Sequence, residues 1–261
     1  MYDDLKQEVE FLNSLDGDLN LQDGYNCPKC KNRGYITEIR NDRYLVDIPC
    51  ECKKVRITIQ RLKNCGIDSD TLHKYSINNF KTTEQWQVNL KEKIKEYLVN
   101  DNPNWLVLSG KTGAGKTHLC IATFKYFIKN NHKTGQYISW NSFAPKMITL
   151  SKSAYSDNQE EFERTIDEMS NTDVLYIDDL FKLTTDKFGK DQTLDLAYQI
   201  INNRYLKKDK ITIISTELYE KDIANIDEAI WGRIHERCGS GKYWFTITND
   251  GTKNYRAKTS Q

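Results

Sequence analysis

Residues 105–128 read WLVLSGKTGAGKTHLCIATFKYFI, and no other stretch restricts the fold of this chain as tightly. An apolar, strand-like run leads into Gly110-Lys-Thr-Gly-Ala-Gly-Lys116-Thr117, and a helical run follows. The pattern G-x-x-x-x-G-K-[ST] is satisfied at every fixed position and in the strand–turn–helix setting that gives it meaning. Gly110, Gly113 and Gly115 let the backbone wrap closely around phosphates with its N–H groups turned inward. The helix that follows aims its positive end at the same anion. Lys116 would reach the β- and γ-phosphates, and the Thr117 hydroxyl would ligate Mg²⁺. The nucleotide-binding set is therefore Gly110, Lys111, Thr112, Gly113, Ala114, Gly115, Lys116, Thr117 and the adjoining His118.

The surrounding sequence has the texture such a loop requires. From residue 105 onward, short apolar runs (WLVLSG, GQYISW, VLYIDD, ITIIST) alternate with helical stretches. That alternation predicts a parallel sheet flanked by helices, an α/β fold. In DVLYIDDL, residues 173–180, an apolar strand ends in two acids, the form of a Walker B strand. Asp178 would hold Mg²⁺ through water, and Asp179 would orient the attacking water as general base. Residues 84–101 read as a helix stopped near Asn102-Pro103.

The N-terminal quarter is different. Of seven cysteines, Cys27, Cys30, Cys50 and Cys52 lie close together; the others are Cys65, Cys120 and Cys238. YITEIR and RYLVDI lie between the two pairs and read as a hairpin turning at Asn41-Asp42. C-x-x-C and C-x-C at the ends of a hairpin can converge on one tetrahedral ion, and four thiolates suit Zn²⁺. Buried unpaired thiols and a redox pair are the competing readings. A redox pair is expected beside a βαβ unit, and none is present here. Cys65 and His73 are the nearest substitute ligands. Cys120 and Cys238 read as small buried hydrophobes. Residues 1–15 suggest a short amphipathic helix. KKVRITIQRLKNCGI (53–67) suggests a basic helix with a solvated face.

Composition narrows the function classes. The chain has 261 residues and a formal net charge of +1, so any nucleic-acid binding would rest on local basic patches. No apolar stretch is long enough to span a bilayer and the N-terminus lacks a signal-peptide core, so a cytoplasmic protein without a membrane partner is expected. Trp105, Trp140, Trp231 and Trp244 read as packing residues rather than base-stacking platforms.

Taken together, GKTGAGKTHL, VLYIDDL, YQIINNRY (198–205), TIISTEL (212–218), GRIHER (232–237) and NYR (254–256) resemble the AAA+ ATPases. Within them they resemble the bacterial and phage replicative helicase loaders of the DnaC/DnaI type, and the cysteine segment extends the resemblance to the DnaI-like subgroup with an N-terminal zinc domain. The resemblance implies ATP, Mg²⁺ and Zn²⁺ as cofactors. It implies an ATPase that places a replicative helicase on single-stranded DNA during replication initiation. The helicase would be gripped through residues 1–65, followed by a connector at 66–83 and the self-associating AAA+ domain at 84–261. Arg237 matches the arginine finger, with Arg233 assisting one turn earlier and Arg204 as a further inter-subunit contact. Lys146, Lys152 and Tyr155 fall where loaders place a helix facing single-stranded DNA. Thr216 and Glu217 fall at sensor 1, where the family commonly has Ser/Thr followed by Asn; an ionised glutamate cannot donate a hydrogen bond there. The rival readings are an IstB-like transposition ATPase, a small-molecule P-loop phosphotransferase and an adaptor that binds ATP without hydrolysing it.

Overall fold

The structure is a computed structural model and describes residues 2–64, 67, 74–100, 104–131, 133–182 and 190–248. Cys65, His73, Asn102-Pro103 and the 254–256 segment lie outside them. The chain opens with α1 (Tyr2–Ser14) and α2 (Leu19–Asp23). Next comes an antiparallel hairpin of β1 (Tyr35–Arg40) and β2 (Tyr44–Pro49). Its turn contains Asn41 and Asp42 with φ of 53° and 54°, the left-handed conformation that these two residue types tolerate. Asn13 of α1 acts as an extra strand residue for β1: its amide donates to the Thr37 carbonyl at 2.8 Å and accepts the Thr37 N–H at 3.0 Å.

α3 (Cys52–Asn64) starts on a cysteine and ends in the main core. Val55, Ile59 and Leu62 recur at helical spacing and are buried with the strands of the large sheet. The basic face is only partly solvated: Arg56 forms an ion pair of 2.6 Å with Asp23, their side chains 11% exposed. α3 thus links the two clusters that meet near the boundary drawn at residue 65. Its first residue, Cys52, lies in the cysteine cluster, and its apolar stripe lies in the core of the large sheet. Within the 66–83 stretch, Ile67 and Phe80 are core residues.

α4 (Gln85–Leu98) begins at a capping box in which Glu84 and Gln87 satisfy each other's backbone N–H groups. Beyond it run β3 (Leu106–Gly110), α5 (Lys116–Asn130), β4 (Gly135–Ser139), α6 (Trp140–Ser151) and α7 (Ser156–Asn171). β5 (Val174–Asp178), α8 (Lys190–Tyr205), β6 (Ile211–Thr216), α9 (Glu220–Ile226), α10 (Glu228–Arg237) and β7 (Trp244–Ile247) complete the described chain.

The sheet is wholly parallel with strand order β4-β5-β6-β3-β7. β3 and β6 are buried along their whole length, which accords with the consecutive apolar residues Leu106 to Leu108 and Ile213 and Ile214 in place of strict alternation. α5 packs on β3, β5 and β6, with α3 and α4 against it. β7 was not anticipated. It is four residues long, and its partners Val107 to Gly110 lie more than 130 residues earlier. Trp105, Trp140 and Trp244 are buried, as are Cys120 and Cys238.

Candidate functional site

Strand order places the site. β6 separates β5 from β3, so the ends of all three converge beside the N-terminus of α5. Gly110 leaves β3 with φ of 129°, and a Cβ there would stand 2.2 Å from the Ile247 carbonyl oxygen. Gly115 enters α5 with φ of 83° against the Phe80 ring. Both conformations favour glycine, and together they wrap the loop around a cleft of about 560 Å³. The cleft is lined by Thr112, Gly113, Gly115, Lys116, Thr117 and His118 of the predicted set, together with Asp179 and Glu217. Lys116 donates to the carbonyls of Gly110 at 2.6 Å and Lys111 at 3.0 Å. Burial pulls its ammonium below the usual lysine range, against the attraction of Asp179 and Glu217.

The two acids of β5 have separate surroundings. Asp178 accepts hydrogen bonds from Tyr176 at 2.7 Å, Tyr137 at 3.1 Å, Thr117 at 3.4 Å and the Ser215 hydroxyl. Ile177 pairs with Ile214, which puts Ser215 beside Asp178. Asp178 and Thr117 together form an all-oxygen pair suited to a hard divalent cation such as Mg²⁺. Asp179 has φ of 57° and is turned into the cleft, where Lys182 donates to its carboxylate at 2.8 Å.

The two sensor-1 residues part company. Thr216 is buried; it donates to the Leu180 carbonyl at 2.9 Å and accepts the Leu218 N–H at 3.2 Å. Glu217 lies in the cleft, accepting from Thr112 and paired with Lys182 at 2.7 Å. Lys182 and Thr112 hold its carboxyl below the usual range, although burial works the other way.

The arginines are less open than the sequence suggested. Arg204 is 0% exposed, so its assignment to a subunit interface is corrected. It donates to Thr212, Met169, Thr172 and Ile211, tying the end of α8 to two neighbouring segments. Burial lowers it to about 9. Arg237 is 7% exposed and donates to the carbonyls of Lys208 at 3.1 Å and Lys210 at 2.9 Å, over the Trp105 ring. Arg233 is half-buried at the surface, bonded to Asn202 and Tyr198 at 3.0 Å each. Lys146 is paired with Glu161 at 2.8 Å, and Tyr155 is 77% exposed.

Cys27, Cys30, Cys50 and Cys52 are all buried, with their sulfurs within 4.8 Å of one another. Cys30 and Cys52 lie 3.5 Å apart and Cys27 and Cys50 3.9 Å. Four thiolates around one Zn²⁺ at about 2.3 Å require edges near 3.8 Å, so the set fits that ion. Burial opposes ionisation of Cys30, but the Gly34 N–H and the neighbouring thiols bring it to about 7.

Sequence reasoning missed Tyr75, Phe80 and Lys182. Tyr75 and Phe80 flank His118 at ring distances of 4.9 and 5.4 Å and close one side of the cleft. Their signal was two aromatics in a stretch read as a connector. Lys182 had no signal, since its role depends on a turn.

The profile of the bacterial DnaA ATPase domain matches residues 73–239. The phage-like element PBSX protein XkdC of Bacillus subtilis (strain 168) is 28% identical over 227 residues, 82% of this chain and 80% of its own length. The replicative helicase loader DnaC of Buchnera aphidicola subsp. Baizongia pistaciae is 28% identical over 166 residues, 63% of this chain and 62% of its own. Among solved structures, AMPPCP-bound DnaA from Aquifex aeolicus aligns with a TM-score of 0.51 at 22% identity, covering 71% of this chain and 53% of that one. The DnaC helicase loader aligns with a TM-score of 0.51 at 18% identity, covering 69% of this chain and 99% of that one. The likeness to the solved structures is one of fold, and this chain spans about half of the DnaA chain.

Proposed function

The chain belongs to the bacterial DnaA ATPase-domain family of AAA+ ATPases, and from that premise we propose that it is a helicase loader of the DnaC/DnaI type. It binds and hydrolyses ATP, and hydrolysis serves to deliver a replicative helicase onto single-stranded DNA during replication initiation. The observation that carries this reading is one shared body. A triphosphate cleft and a four-cysteine unit are joined through α3, which starts at Cys52 and buries Val55, Ile59 and Leu62 in the ATPase core.

In this reading Lys116 turns from the Gly110 and Lys111 carbonyls to the β- and γ-phosphates. Thr117 and Asp178 would hold Mg²⁺, which supplies charge neutralisation at the phosphates when bound. Asp179 orients the attacking water. The Cys27, Cys30, Cys50 and Cys52 thiolates would hold Zn²⁺, which supplies a staple for a unit too small to keep a core alone. Arg237 and Arg233 act at the contact with a second copy, and Arg237 must leave the Lys208 and Lys210 carbonyls to do so. Phe11 and Leu21 are 63% and 82% exposed and give the N-terminal unit an apolar surface for the helicase. No described helix is long and apolar enough to cross a membrane, which accords with a cytoplasmic site of action.

Co-purification of the full chain with a replicative helicase, with and without residues 1–50, tests the proposal. A complex with the full chain that is lost on truncation is expected. Capture of a transposase without any helicase would favour the IstB-like reading. Turnover with a metabolite acceptor, unaffected by Arg237→Ala, would favour a phosphotransferase. ATPase rates that are the same for Asp179→Ala and wild type would leave only an adaptor.

A further inference from the structure

Two carboxylates line the cleft that holds the phosphate loop. Asp179 and Glu217 share it with Lys116 and with Thr112, whose hydroxyl donates to Glu217. Glu217 occupies a position where the resemblance leads one to expect an uncharged amide, and a second acid there repels an incoming phosphate. The structure contains an answer to that charge in Lys182. Its ammonium lies 2.8 Å from Asp179 and 2.7 Å from Glu217, bridging the two acids.

Its placement is built into the backbone. After β5 the chain adopts left-handed conformations at Asp179, φ 57°, and Phe181, φ 64°. A bulky residue rarely takes that conformation, and such strain persists only where the surroundings enforce it. They do so here. The Leu180 N–H donates to the Ser215 carbonyl at 2.9 Å, and the Lys182 N–H to the Asp179 carbonyl at 3.0 Å. The buried Phe181 ring packs edge-on against Trp140 at 6.1 Å. The turn is thus clamped to the end of β6, and it brings Lys182 back over the acid three residues earlier. The Lys182 side chain is still 34% exposed and lines the cleft.

We propose that Lys182 is a cation that reads the γ-phosphate in cis: it bridges the Asp179–Glu217 pair, offsetting one of their two charges, and offers the terminal phosphate of a nucleoside triphosphate a partner that a diphosphate does not reach. The proposal rests on the ATPase reading of the cleft. A γ-phosphate competes with Asp179 for the ammonium and so frees the carboxylate to orient water. A diphosphate leaves the Lys182–Asp179 pair closed.

The test is equilibrium binding of ADP and of a non-hydrolysable ATP analogue to the full-length protein, its Lys182→Met and Lys182→Arg variants, and Lys182→Met combined with Glu217→Gln. Lys182→Met is expected to weaken the analogue by about tenfold or more, the effect of losing one charge-assisted contact, and ADP by less than about threefold. Lys182→Arg retains the discrimination, and adding Glu217→Gln to Lys182→Met recovers most of the lost affinity. Equal losses for the two nucleotides, no loss for either, or failure of the double variant to recover would overturn the proposal. Wild-type protein that binds neither nucleotide would instead sink the ATPase reading beneath it.

Discussion

The backbone N–H of Gly135, first residue of edge strand β4, donates to the Thr58 hydroxyl of α3 at 3.1 Å. Thr58 in turn donates to the Lys54 carbonyl at 3.0 Å. One hydroxyl thus joins a helix that begins at Cys52 of the four-cysteine cluster to the first residue of the ATPase sheet's edge. A Cβ on Gly135 would meet Phe124 and Ile128 of α5 within 2.6 Å, so the three elements meet in one place. Thr58→Val keeps the shape and removes the acceptor, leaving a buried N–H unpaired. A loss of about 1–3 kcal/mol in stability is expected, read from urea unfolding. An unchanged midpoint would show that α3 does not depend on this contact.

Removal of one thiol should separate recruitment from catalysis. Cys27→Ser is expected to abolish bound zinc and helicase capture while nucleotide binding stays within about threefold of wild type, because Cys27 lies outside the cleft. Some loss of thermal stability accompanies it, since Cys52 of the same set opens α3. Metal content, co-purification and a nucleotide titration read the three effects. A variant that keeps its zinc and its partner contradicts the metal assignment.

The two arginines of α10 should fail in different ways. Arg237 satisfies main-chain carbonyls in the fold, so Arg237→Ala is expected to lower stability by about 2 kcal/mol as well as abolish turnover. Arg233 makes its bonds at the surface, so Arg233→Ala should keep the wild-type melting point and lose activity only at concentrations where copies associate. ATPase rate against protein concentration, alongside thermal melts, checks this. Matching concentration dependence in wild type and Arg233→Ala would remove Arg233 from the interface.

Asp173 should set part of the acid limit. Its carboxyl is brought from 3.8 to about 2, against burial, by Lys210 and the N–H and hydroxyl of Thr134. A lowered folded-state value stabilises the protein above the unfolded value, and that contribution is lost as pH falls from about 4 to about 2. The side chain is 27% exposed, so screening reduces the contribution to about 1 kcal/mol. Asp173→Asn should therefore cost about that much at pH 7 and progressively less as pH falls through about 4 toward and below about 2, measured by unfolding across that range.

Local patterns in the sequence determined the phosphate loop, the acids of β5, the hairpin, the cysteine set and the parallel α/β class. Each rests on neighbours in the chain: glycines that free the backbone, alternation that marks a strand, and pairs of thiols at a hairpin's ends. The tertiary structure alone decided the rest. Arg204 and Arg233 were both expected at a contact between copies, yet one is enclosed by carbonyls and the other lies over tyrosines. β7 exists because β3 offers it an unpaired edge. Thr216 and Glu217 are adjacent, but the end of β6 turns one into the core and the other into the cleft. Lys182 reaches both acids only because two left-handed residues fold the chain back on itself. Such outcomes depend on which side chains from distant segments compete for the same space and the same hydrogen bonds, and no local pattern contains that competition.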